Sequence, residues 1–240
     1  MSGKKIGGAG LRGQSAGETS ICTVGVSGSG LTYRGYDVVD LAENTTFEEV
    51  AYLLLKGKLP NSQELKAYIE KLKTLRGLQP ELRTALEGIP KTAHPMDVLR
   101  TGCSVLGNLE QEEGFINQTD HADRMLSAFP SILSYWYQYS HYGKRIDTET
   151  SDDTIGGHFL HLLHGKKPSQ LHDQVMSISL ILYAEHEFNA STFAARVCAS
   201  TLSDIHSAVT SAIGTLRGPL HGGANEAASA MLSQWNDPDV

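Results

Sequence analysis

From Ser62 onward the chain repeats apolar residues every three or four positions, the spacing of helices that each bury one face. Leu65, Ile69, Leu72 and Leu75 form the first clear stripe, and Gly77 stops it. Pro80 and Pro90 bracket a short helix. Pro95 stands at the start of the next, where Met96, Leu99, Cys103 and Leu106 share a face. Residues 108–119 read as a polar connection. Asp120 then opens a strong amphipathic helix, with Met125, Phe129, Ile132 and Trp136 on one face and Leu126, Leu133 and Tyr137 beside it. So wide an apolar surface calls for neighbours on two sides, either as a central core helix or as a subunit contact. A polar loop follows from His141 to Thr154.

In the second half, Val175, Met176, Ile178, Leu180, Ile181 and Leu182 leave no polar side, which predicts a helix buried all round. Its end turns abruptly polar at Glu185, His186, Glu187 and Asn189. A further helix is expected from about Thr192 to Leu202, carrying Arg196. Ser203 and Asp204 cap another, whose Ile205, Ala208, Val209, Ala212, Ile213 and Leu216 face one side. The last predicted helix begins near Asn225.

The N-terminal region has a different rhythm. Residues 1–18 are rich in Gly, Ser and Lys without periodicity and are expected to be a flexible arm. Ile21 to Val26, a glycine turn at Ser27-Gly28-Ser29-Gly30, and Leu31 to Arg34 predict a short β-hairpin, the only sheet expected. Asp37 to Ala42 reads as a helical turn. Thr46 with Glu49 is a capping box that opens a helix to about Leu55, closed by Gly57 and Pro60. The fold class is therefore all-α with one small hairpin, residues 19–240 forming a single domain.

Composition narrows the function. At 240 residues the chain can bury a sizeable core, and its net charge of −7, with no basic block beyond Lys4-Lys5, argues against nucleic acid as a partner. No apolar run approaches membrane-spanning length, so no membrane role is expected. Cys22, Cys103 and Cys198 are odd in number and widely spaced, which fits reduced thiols and a cytoplasmic location.

Two stretches carry candidate chemistry. In Gly218-Pro219-Leu220-His221-Gly222-Gly223-Ala224-Asn225-Glu226 a helix ends at Gly218 and Pro219, and Asn225 can cap the next. The glycines after His221 allow a tight turn and close approach of a ligand. A histidine held before a helix N-terminus is suited to act as a neutral N–H donor. The alternative is a histidine in an ordinary helix–helix turn. In the second stretch, Glu185, His186, Glu187 and Asn189 need polar partners if buried, and a small polar ligand would supply them. His158, His161 and His164 resemble a metal cluster only at first sight. On a helix the third is rotated well away from the other two, so no metal site is expected.

These two stretches contain an H-E-x-N motif (His186-Glu187-Phe188-Asn189) and a G-P-x-H-G-x-A-N motif (Gly218 to Asn225). In that order and separation they resemble the citrate synthase family. The resemblance extends to Tyr33-Arg34-Gly35-Tyr36, to Phe47 through Leu54 and to His94-Pro95-Met96-Asp97, and it covers nearly everything after about Thr19. The wording of Ile155 to Gly165 and of Glu185 to Phe193 is most similar to the 2-methylcitrate synthase branch. It implies a large helical domain that condenses propionyl-CoA with oxaloacetate, in a homodimer paired through helices near 96–107, 120–139, 192–202 and 204–217.

By the same resemblance His221 is catalytic, donating a hydrogen bond to the thioester oxygen while an aspartate removes the α-proton. His186 and Asn189 bind oxaloacetate, and Leu220 and Gly222 contact the acyl-CoA. No metal or cofactor is implied, since the CoA thioester is a substrate. The family's second catalytic histidine lies in a G-[FY]-G-H stretch, its aspartate in a P-N-x-D stretch, and its carboxylate-binding arginines beyond His221. None of these occurs here, so the sequence is expected to be the large-domain portion without the small domain, inactive as it stands. Acetyl-CoA as the substrate, in a citrate synthase, stays open, because one methylene is worth only about 1–3 kcal/mol of pocket contact. So does an inactive helical dimerisation scaffold.

Overall fold

The structure, a computed structural model, describes residues 16–25 and 30–223. Most of the expected arm, the hairpin turn at 26–29 and the helix expected near Asn225 lie outside the described residues. Strands β1 (Cys22–Val24), β2 (Leu31–Tyr33) and β3 (Tyr36–Asp37) form one antiparallel sheet in that order, with Cys22 opposite Tyr33 and Tyr33 opposite Tyr36. The third strand goes beyond the expected hairpin. At two residues it is too short to show alternation.

Helices then follow one another: α1 (Val38–Asn44), α2 (Phe47–Lys56), α3 (Ser62–Thr74), α4 (Pro80–Glu87) and α5 (Pro95–Leu109). Beyond them lie α6 (Gln118–Tyr142), α7 (Ile155–His164), α8 (Gln170–Leu182), α9 (Ala190–Ser200) and α10 (Ile205–Leu216). Their starts are set by local chemistry. Thr46 and Glu49 close a reciprocal capping box on α2, Asp204 caps α10, and the imidazole of His94 accepts the Met96 N–H ahead of Pro95.

The long α6 runs through the middle, against α3, α4, α5, α7 and α10. Met125, Ala128, Ile132, Tyr135 and Trp136 form the core on one side with Leu82, Leu86, Val98 and Leu106. Its other apolar flank, Leu126, Phe129 and Leu133, lines an open apolar groove with Phe47, Phe159 and Met176. The helix is thus a core helix with a second apolar face still turned outward. A separate core joins the sheet to α1, α2 and α3, and both Ile155 and Ile181 reach into it.

One expectation fails. The helix expected to be buried all round, α8, buries only Ile181. Val175 is 55% exposed and Leu182 46%, while Met176, Ile178 and Leu180 are only half-buried, so much of this apolar surface lacks full cover among the described residues. An all-apolar run states that a helix needs burying, not that this chain alone buries it.

The three histidines of α7 have different surroundings. His158 is fully buried between Ser131 Oγ at 3.1 Å and Thr150 Oγ1 at 3.0 Å, and burial pushes its pKa down to about 3. His161 pairs with Asp152 at 2.7 Å, and His164 is exposed.

Candidate active site

The polar stretch after α8 is a loop, residues 183–189, held at both ends. Tyr33, fully buried, donates its hydroxyl to the Ile181 carbonyl at 2.9 Å and accepts the Glu185 N–H at 3.3 Å. At the far end Asn189 is the N-cap of α9: its Oδ1 accepts the Thr192 N–H at 2.9 Å and the Ser191 hydroxyl at 2.7 Å. Between these anchors the chain makes a left-handed kink at Glu187, φ 54°. His186 is exposed there, beside the half-buried Glu185. Burial pushes the Glu185 carboxyl above its usual range, with the Glu187 backbone N–H and then the Arg196 charge acting against the shift.

His221 reaches this loop from thirty residues further along the chain. Its Nε2 accepts the backbone N–H of Ser191 at 3.3 Å and lies 2.9 Å from the Ser191 hydroxyl. Ser191 is the second residue of α9, and its N–H is one of the donors a helix leaves unpaired in its first turn. The imidazole therefore docks on the N-terminus of α9. Accepting that N–H calls for the Nδ1–H tautomer, with a lone pair on Nε2, whereas donating to Ser191 Oγ, whose own proton goes to Asn189 Oδ1, calls for Nε2–H.

The turn that carries His221 is fixed from behind. The Gly222 N–H donates back to the Leu216 carbonyl at 3.0 Å, and His221 N–H to Gly218 at 3.0 Å. A Cβ on Gly222 would stand 2.3 Å from the Leu216 oxygen, so only glycine fits.

Of the residues singled out in the sequence, His221 and Asn189 are thus joined through Ser191 in one hydrogen-bonded chain. His186 lies on the same loop, exposed. Gly222 shapes the turn, and Leu220 is 103% exposed, fully open to solvent. Asn225 lies outside the described residues. Sequence reasoning passed over Ser191. A serine two places after a capping asparagine reads as ordinary helix-start chemistry, and nothing local says that a distant histidine will sit on it.

A mostly helical domain that docks a G-P-x-H-G histidine onto the helix following an H-E-x-N loop belongs to a known class. The chain is a member of the citrate synthase family: residues 10–240 match the family described as "Citrate synthase, C-terminal domain". Among its relatives, the 2-methylcitrate synthase of Shewanella oneidensis is 71% identical over 234 residues, covering 98% of this chain and 62% of that protein. The 2-methylcitrate synthase of Mycobacterium tuberculosis is 41% identical, over 95% of this chain and 58% of that protein. A citrate synthase from Thermoplasma acidophilum, solved as a ternary complex with carboxymethyl coenzyme A and oxaloacetate, superposes with a TM-score of 0.86 at 30% identity. That match covers 94% of this chain and 60% of the other. The chain therefore spans less than two thirds of the length of each of these proteins.

Proposed function

We propose that the whole protein is a 2-methylcitrate synthase, condensing propionyl-CoA with oxaloacetate and water to give 2-methylcitrate and CoA. The observation that carries this reading is the His221–Ser191–Asn189 chain, which brings the His221 imidazole to the loop that presents His186. The 71% identity to a 2-methylcitrate synthase supports the choice of branch.

In this reading Nδ1–H of His221 donates to the thioester oxygen as the α-proton leaves, stabilising the enolate where negative charge develops. The enolate carbon attacks the ketone carbon of oxaloacetate, and water then cleaves the thioester. His186 and the Asn189 amide hold oxaloacetate, with Gly222 and Leu220 on the acyl-CoA side. The α-proton acceptor and the group that polarises the ketone have no assigned residue on this chain.

The reading is tested by thiol release from the purified whole protein with oxaloacetate and either propionyl-CoA or acetyl-CoA, the product being weighed by mass spectrometry. A higher kcat/KM for propionyl-CoA is expected. Equal or better use of acetyl-CoA would make it a citrate synthase, and no release with either would leave the scaffold reading.

The homodimer belongs to the same proposal. It is supported by α9, which buries none of its residues, and by exposed apolar side chains at Val197 and Leu216 on α9 and α10. Such faces suit an obligate interface. Light scattering at micromolar concentration should give twice the mass of one chain, and a monomer would remove the dimer.

A further inference from the structure

The loop between α8 and α9 is clasped by the N-terminal sheet, a contact that the catalytic reading leaves without a role. Gly25 N–H donates to Gly30 across the β1–β2 ladder at 2.8 Å, so the alternate Val24 N–H faces the outer edge of the sheet. There it meets Glu187, whose Oε1 accepts it at 3.1 Å across 163 residues of sequence. Glu187 is also the residue with φ 54°, a conformation that a side-chain-bearing residue adopts only when its surroundings hold it. The next residue is gripped as well. The Phe188 ring lies between Gly17, where a Cβ would come within 3.2 Å of it, and the Arg196 guanidinium, 4.5 Å from the ring centroid.

We infer that Glu187 is a positioning residue for substrate: its carboxylate, fastened to the edge of β1, holds the kink that presents His186 on one side and delivers Asn189 and Ser191 to α9 on the other. The charge is not needed for this. A hydrogen-bond acceptor of the same reach suffices, since the partner is a backbone amide. Losing the acceptor frees the kink to relax toward an ordinary backbone conformation, and His186 moves with it. The substrate half of the inference rests on the function proposed above.

The test uses Glu187→Ala and Glu187→Gln in the whole protein, with two readouts on the same samples: KM for oxaloacetate against kcat, and amide hydrogen exchange at residues 22–24 and 183–189. Glu187→Ala should raise KM for oxaloacetate by about 10-fold or more, leave kcat within about 3-fold, and speed exchange at Val24 by about 10-fold. Glu187→Gln should restore both readouts to within about 3-fold of the parent, because an amide oxygen still accepts the Val24 N–H.

Unchanged exchange at Val24 in Glu187→Ala would overturn the clasp. A lower melting temperature with unaltered KM would reduce Glu187 to a stability element. A glutamine variant as impaired as the alanine one would show that the carboxylate charge itself acts on substrate. If the parent protein condenses neither acyl-CoA, the proposed function fails and the substrate half with it, while exchange alone still decides the clasp.

Discussion

Replacing Gly222 by alanine adds one methyl group beside His221 and leaves every polar group of the site in place. The new Cβ would stand 2.3 Å from the Leu216 carbonyl oxygen and 3.0 Å from Leu216 Cδ1. Carbon and oxygen tolerate about 3.3 Å at closest, so the turn must open by about 1 Å. The oxygen is backbone at the end of α10 and cannot rotate aside. Opening breaks the Gly222 N–H bond to that oxygen, worth about 0.5–1.5 kcal/mol, and carries the adjacent His221 off the Ser191 N–H. A displacement of about 1 Å at a catalytic group lowers turnover by about 10²-fold. Thiol release at saturating propionyl-CoA and oxaloacetate should therefore fall by that factor in the whole protein. Thermal unfolding should shift by only about 2–6 °C, the response of a chain this size to the loss of a kcal/mol or so. Parent-like turnover, with a crystal structure showing His221 Nε2 still on the Ser191 N–H, would refute the reasoning.

Three further predictions address the imidazoles. His221→Ala should lower kcat by about 10²–10³ with little change in oxaloacetate affinity, because its hydrogen bond strengthens only as the enolate forms; unchanged turnover per folded molecule would end the catalytic assignment. His186→Ala should weaken oxaloacetate binding by about 1.5–3 kcal/mol in calorimetry while leaving unfolding within about 0.5 kcal/mol, since the residue is exposed. Parent-like affinity would make His186 a surface residue only. His158, held neutral by burial with a pKa of about 3, binds its proton in the unfolded chain near 6.5, so its contribution to stability is present above about pH 6.5 and is lost as the pH falls toward 3. Between pH 7 and pH 5 that loss comes to about 2 kcal/mol in urea unfolding, and a His158→Gln variant that keeps the full loss would assign it to other groups.

The helices were legible in the sequence because their signals lie within one turn of the residues they govern. Thr46 with Glu49, Asp204 and Pro95 start helices where they were expected to, and α6 begins at Gln118, two residues ahead of Asp120. The His221 turn was legible for the same reason, since Gly218, Pro219 and Gly222 act on their own neighbours. Other features depend on where the chain goes next. The exposure of Val175 and Leu182 on α8 could not be read from an all-apolar run, which records a demand for cover without naming what supplies it. The docking of His221 on Ser191 joins residues 30 apart, and that of Glu187 on Val24 joins residues 163 apart. A backbone N–H on a sheet edge or in a first helical turn belongs to every sequence alike. Only the tertiary path decides which side chain arrives to accept it, and that choice makes a polar loop and a glycine turn into one site.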